Sequence, residues 1–558
     1  MTASDIQELL ASMGDPVKAA HAQRFFKTGP GEYGEGDIFR GIRVPELRRV
    51  AQNWKKVSLD EMLVLLRSDY HEDRFVALCL LVHAFKRGNQ YKVYNAYLKH
   101  TGFVNNWNLV DTSAHKILGP YLFKRPRTPL YTLARSDNLW ERRIAVVSTY
   151  YFIKRDQYND TLALSDILAH DQEDLIHKAC GWMLREVGKR DESVLVEFLD
   201  DPTVVLPRTA LRYAIERFDK PVRKAYLAKR AAIPAAYHVT RWRAYRYVMD
   251  AAMRLKGEVV ETKALRSKQL GKDFGATVFL KLENEQHTGS FKYRGALNKL
   301  LSLREPLRPL VAASTGNHGL AVSRVLQDFG VKGTIYLPVT TEKHKAEALR
   351  EGVADLVFNG DDGIDAEREA RHVAERDRSV FISPYNDWQI IAGQGTVGVE
   401  LLRQAGSLDY VFAAVGGGGL ISGLALVLKN HLPTVRIIGC SPARSNMMQA
   451  SVEAGRVVEQ PSKPTLSDGT AGQIESDTIT LPLCTDLVDE WVTATEEEIA
   501  DAMRRVYHEH GIKIEGAAGV AVACFLGYKK NLTKKRLALI ICGGNISDKK
   551  FQTVLDQA

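Results

Sequence analysis

The stretch Lys281–Ala296, KLENEQHTGSFKYRGA, decides how the second half of this chain is read. Lys292 stands just inside a glycine–serine turn, after the strand-like run Val278–Leu282 and before the helix-like run Tyr293–Leu303. A lysine held there in a partly dry site loses proton affinity, and its neutral amine can condense with an aldehyde. GSxK strings also occur in ordinary surface loops, so the turn needs company. STGNHG at Ser314–Gly319, GGGGL at Gly416–Leu420, EGAAG at Glu515–Gly519 and CGGN at Cys542–Asn545 follow it in order.

Around these strings, short apolar runs (278–282, 310–313, 333–337, 354–358, 410–415, 435–440 and 537–542) alternate with helical segments. Such alternation predicts an α/β domain, a mostly parallel sheet in two lobes with helices on both faces. Val411–Leu428 carries no charge over 18 residues, the lower edge of a membrane span. Its five glycines and the split at GGGGL predict a buried strand, a phosphate loop and a helix instead. No membrane partner is expected.

The five strings resemble those of the threonine/serine dehydratase family of fold-type II pyridoxal-phosphate lyases and racemases. The resemblance implies pyridoxal 5'-phosphate as cofactor and Lys292 as its Schiff-base lysine and the base for the substrate Cα proton. It puts Phe291 and Glu515 beside the cofactor, Asn317 on its phenolic oxygen and Cys542 against its ring nitrogen. Gly416, Gly417, Gly418, Gly419 and Leu420 would cradle its phosphate with consecutive amides at a helix start. Ser314, Thr315, Asn317 and His318 would meet the substrate, with His318 reading better as a loop-to-helix cap than as a general base. Thr315 stands where many dehydratases have alanine and serine racemases have serine, so a proton donor on the second face, and with it racemisation, stays open. A neutral Cys542 favours prompt loss of a β-substituent. The implied reaction is conversion of a 3-hydroxy amino acid such as L-threonine or L-serine to a 2-oxo acid and ammonia, by a homodimer formed through this domain. One departure stands out: relatives with an active-site metal carry glutamate before proline where this chain reads IIGCSP, with Ser441 before Pro442. No metal is expected.

Residues 1–230 follow another grammar. With 558 residues, more than one domain is expected. Apolar residues recur at helical spacing through 62–66, 75–81, 144–152, 162–168 and 194–199, with Asp and Asn in the gaps (SDNLW, QYNDT, LDDPT). Blocks of roughly 35–40 residues, each a helix pair, suggest an α-solenoid. The join to the domain of residues 231–558 is expected near 228–236, KRAAIPAA being small and proline-bearing. Of the net charge of +9, residues 1–230 hold +7, and residues 81–150 alone sum to +8. A basic stripe suits a nucleic-acid binder; charge alone suits a solvated basic face equally well.

Four strings in this half, FFKTGPGEYGEGD (Phe25–Asp37), NNWNLVD (Asn105–Asp111), WERRIAV (Trp140–Val146) and KACGWMLRE (Lys178–Glu186), resemble the HEAT-like-repeat alkylpurine DNA glycosylases. The resemblance implies that Trp107, Asp111, Arg143 and Trp182 share a concave surface on duplex DNA. The tryptophans would face a cationic purine, Asp111 would steady the developing sugar cation and Arg143 would hold a backbone phosphate. A non-catalytic DNA- or protein-binding adaptor fits the same residues, as tryptophans in repeats are usually core and Asp–Arg pairs are often structural. Six scattered cysteines without a CxxC pair suit a reducing, cytoplasmic setting, and no N-terminal run looks like a signal peptide.

Overall fold

The computed structural model describes all residues except 229–239, 304–307, 351, 362, 461–462, 557–558 and the side chain of His344. It separates into two compact units, Met1–Arg243 and Ala244–Ala558. Nearly all of the join expected near 228–236 lies outside the described residues.

The regular elements among the described residues of the first unit are all helices, apart from the single bridge between Ile38 and Tyr70. Several of its helices begin where short polar side chains take up free amides. Asn106 caps Trp107–Leu122, and Asn138 accepts from Trp140 N at 2.8 Å to start Leu139–Ser148. The apolar run 144–152 is not one helix. It breaks after Ser148, and a short helix Tyr150–Ile153 follows. Consecutive repeats are riveted by buried charge. Arg127 pairs with Asp160, both fully buried, and lies 3.8 Å over the Phe152 ring. Arg142 pairs with Asp171 at 2.6 Å. Part of the basic stripe of residues 81–150 is therefore internal rather than presented to a partner.

The second unit carries ten strands: β1 (Ala264–Ser267), β2 (Thr277–Leu282), β3 (Leu310–Ala313), β4 (Gly333–Leu337), β5 (Asp355–Phe358), β6 (Val380–Phe381), β7 (Tyr410–Ala414), β8 (Arg436–Pro442), β9 (Glu490–Ala494) and β10 (Arg536–Ile541). They form a six-stranded sheet, β1-β2-β10-β7-β8-β9, and a four-stranded sheet, β5-β4-β3-β6. Every pairing is parallel except β1 with β2. Seven strands fall on the expected apolar runs. β1, β6 and β9 lie at sheet edges and have little continuous apolar signal, which is why periodicity missed them. The uncharged run 411–428 is β7, the glycine loop and most of the helix Gly419–His431. Among the described residues no helix is long and apolar enough to cross a membrane.

Candidate functional site

Residues from all five strings of the second unit line one cleft of about 920 Å³. The first and last strings are clipped together. Ser290 bridges Gly543, Phe291 N donates to Cys542 O at 3.1 Å, and Gly544 N donates to Gly289 O at 2.9 Å. Gly289 sits at φ +69°, and a Cβ on it would lie 2.5 Å from Asn545 Oδ1, so only glycine serves there. The turn delivers Lys292 as the first residue of the helix Lys292–Leu301. Two residues on, Arg294 is fully buried and donates to both oxygens of Glu283 (2.7 and 2.9 Å) and to Glu400 (2.6 Å). That network ties the helix to the end of β2 and to the helix Trp388–Gln404.

Lys292 Nζ donates to Pro384 O at 2.8 Å and lies 5.3 Å from the Phe291 ring. Burial lowers its pKa to about 8, against the opposing pull of Cys542 and Glu515. Burial holds the Cys542 thiol well above its usual value, so it stays protonated and neutral. Glu515 is pushed up to about 7 by burial, although Asn317 Nδ2 donates to both its oxygens at 2.8 and 3.0 Å. Asn317 Oδ1 accepts in turn from Asn545 Nδ2 at 2.6 Å. Glu515, Asn317 and Asn545 thus form a chain across one wall of the cleft.

Elsewhere in the lining of the cleft, Gly418 (φ +82°) caps the helix Gly419–His431. The amides of Gly416, Gly417 and Gly418 donate to no other group of the described residues. A Cβ on Gly417 would lie 2.3 Å from the Tyr385 ring, and one on Gly416 would lie 3.0 Å from the Thr470 backbone. Free amides at a helix N-terminus, in a loop too tight for side chains, make an anion cradle. Leu420 and Thr315 line the same cleft. Ser314 Oγ already accepts from Gly316 N at 3.2 Å.

His318 corrects the sequence reading. It does not cap its helix, whose first flanking residue is Gly316 with no side-chain bond. Its ring meets Ile382 O at 2.8 Å, and burial beside Lys292 drives its pKa down to about 3. His318 is thus a buried, neutral group that lines the same cleft with one ring nitrogen bonded to the backbone. Tyr385 was missed. It stacks across Gly417 and Gly419, and its hydroxyl accepts from Glu475 N at 2.7 Å. The string SPYND at Ser383–Asp387, a polar turn after an apolar run, was its sequence signal.

The cleft supplies what a phosphorylated pyridine aldehyde needs: a depressed lysine, an anion cradle and a neutral thiol, all within one cavity. Residues 255–543 match the family model for pyridoxal-phosphate dependent enzymes. The chain belongs to that family. Pyridoxal 5'-phosphate is accordingly its cofactor. The L-threonine ammonia-lyase of Thermotoga maritima is 38% identical over 312 residues, 56% of this chain and 77% of that protein. The catabolic L-threonine dehydratase of Escherichia coli K12 is 35% identical over 54% of this chain and 92% of its own. Maize serine racemase superposes with a TM-score of 0.52 at 28% identity, covering 56% of this chain and 96% of that one. Residues 6–218 match the family model for DNA alkylation repair enzymes.

In the first unit the helix Trp107–Leu122 puts Trp107 and Asp111 one turn apart on one face. Arg143 reaches Asp111 with two bonds, 3.1 and 2.9 Å, and Leu175 O with a third at 2.6 Å. Its side chain is 6% exposed, that of Asp111 22%. Burial raises the Asp111 pKa against the pull of Arg143. Three of the five N–H groups of Arg143 are therefore taken by Asp111 and Leu175, and in this arrangement it holds Asp111. Trp107 stacks on Phe26 at 5.5 Å. Trp182 does not join it directly; its ring neighbour is Tyr150 at 5.9 Å, which in turn lies against His115, one turn beyond Asp111.

Proposed function

We propose that the second unit is an ammonia-lyase converting L-threonine or L-serine to the 2-oxo acid and ammonia. The observation that carries this reading is Lys292, a lysine with its pKa near 8 in the same cleft as the free-amide glycine loop and the neutral Cys542. The bound cofactor supplies an electron sink for the electrons left when the Cα proton departs. Lys292 Nζ takes that proton, being the basic group beside Phe291 and Pro384. The glycine loop holds the phosphate end through its unbonded amides. Asn317, fixed between Glu515 and Asn545, holds its position in the same cleft. Ser314 and Thr315, at the turn before the helix Asn317–Phe329, take the substrate carboxylate. The β-hydroxyl leaves as water, and a second water releases ammonia from the product.

A second reading, racemisation, is favoured by two observations: Thr315 is among the residues lining the cleft, and serine racemases stand among the relatives. Incubation with L-serine separates the two. Pyruvate and ammonia in equal amounts support the lyase; D-serine accumulating faster than pyruvate supports the racemase. For the first unit we propose excision of alkylated purines from duplex DNA, with Asp111 as the charge-stabilising group. The support is the family match and the Trp107–Asp111–Arg143 grouping. Release of 7-methylguanine from methylated DNA, lost in Asp111→Asn while binding persists, tests it. Binding without any release by the native protein would make this unit an adaptor.

A further inference from the structure

At the far end of the first unit, two helices, Arg208–Ala214 and Lys220–Ala228, frame a concavity of about 430 Å³. Its lining is Arg208, Lys220, Arg223, Lys224, Leu227 and Ala228, four cations and no acid. None of the four makes an ion pair with any described residue. The frame is fixed: Arg208 donates to Leu227 O at 3.2 Å, Tyr226 Oη donates to Asp200 at 3.1 Å, and Tyr226 packs on Phe218 at 5.7 Å. In this respect the concavity differs from three arginines of the basic stripe of residues 81–150. There Arg127, Arg142 and Arg143 are each paired with an aspartate of a neighbouring repeat.

We propose that this concavity is a second nucleic-acid contact, a clamp on the phosphodiester backbone of duplex DNA that is separate from the Asp111 site. Like charges gathered without a counter-charge repel, and the arrangement is relieved by an anion brought from outside. The concavity opens broadly to solvent, so it does not enclose a small ion. A polymer that offers several phosphates at once can engage both guanidinium forks and both ammonium groups together. Because the lining of the clamp includes no residue of the helix that carries Trp107 and Asp111, it adds grip without touching the lesion. This inference rests on the reading of residues 6–218 as a DNA-binding repeat.

The test uses the full chain loaded with cofactor and a fluorescent duplex titrated across a salt series. In the variant R208A/K220A/R223A/K224A, affinity at low salt should fall by about 10-fold or more. The slope of log K against log salt should become shallower by about 3 to 4, since each of the four lost contacts removes roughly 0.9. Release of methylated purine at saturating duplex should stay at the native rate. Lyase turnover and melting temperature, also unchanged, report that the variant is folded. An unaltered salt slope in a variant that binds DNA as well as the native chain overturns the clamp alone. A native chain that binds no duplex at all overturns the DNA reading, and the clamp with it. Displacement of the duplex by polyglutamate as effectively as by unlabelled duplex would make the concavity a general acidic-partner site and also overturn the proposal.

Discussion

Lys292 offers the sharpest quantitative test. Its pKa of about 8 is displaced by burial from 10.5. At pH 7 the neutral amine is then ~9% populated, against ~0.03% for an ordinary lysine, a gain of about 300-fold in reactive form. Capture of pyridoxal phosphate by the cofactor-free protein needs that neutral amine. Its rate, followed by stopped-flow as a visible band grows near ~410 nm, should rise about 50-fold between pH 6 and 8 and level off above pH 9. An unperturbed lysine would give a line still climbing tenfold per pH unit at pH 9. Stability should follow the same titration. The folded pKa lies below the unfolded one, so between about 8 and 10.5 the folded chain binds fewer protons and gains stability as pH rises. Below pH 8 the buried charge costs up to about 3 kcal/mol, less whatever water in the open cleft screens. Lys292→Met should therefore stabilise the cofactor-free unit at pH 7 and lose that advantage by pH 10.5, while abolishing capture and turnover. A capture rate with no bend up to pH 10, or a variant that still turns over, would refute the reasoning.

Three further outcomes follow from the same geometry. Gly417→Ala places a Cβ 2.3 Å from the Tyr385 ring; displacing the ring should cost about 1–3 kcal/mol and weaken cofactor binding at least tenfold by equilibrium titration. Glu515 has its pKa raised from 4.5 to about 7, so the stability it contributes below pH 4.5 is lost as pH rises through 7. Glu515→Gln should gain up to about 3 kcal/mol on the native cofactor-free chain across that window, minus about 1 for its weaker hold on Asn317, as read by denaturant melts at pH 4.5 and 8; a flat difference would show that the carboxyl does not titrate there. Arg143→Ala leaves the Asp111 carboxylate without its two bonds and should destabilise the first unit by about 3 kcal/mol, with melting the readout, whereas Asp111→Asn should cost much less because the Leu175 contact of Arg143 remains.

How much of this was legible in the chain depends on whether the signal is local. The alternation of apolar runs, the glycine strings and the lysine turn are local: each needs a particular backbone conformation or a missing Cβ at its own position. The sequence by itself therefore determined the two kinds of architecture, seven of the ten strands and the set of strings that meet in the cleft. Edge strands β1, β6 and β9 were invisible because half-exposed edges need no continuous apolar run. Tertiary structure alone decided who pairs with whom. His318 sits in a glycine-rich string beside Asn317, yet only burial in the folded unit, with Lys292 close by, makes it neutral. Arg143 carries the charge that suits a phosphate, and only the packing of successive repeats turns three of its N–H groups to Asp111 and Leu175. Hydrogen-bond partners and burial belong to residues distant in the chain, and a donor's chemistry is fixed only when its partners are known.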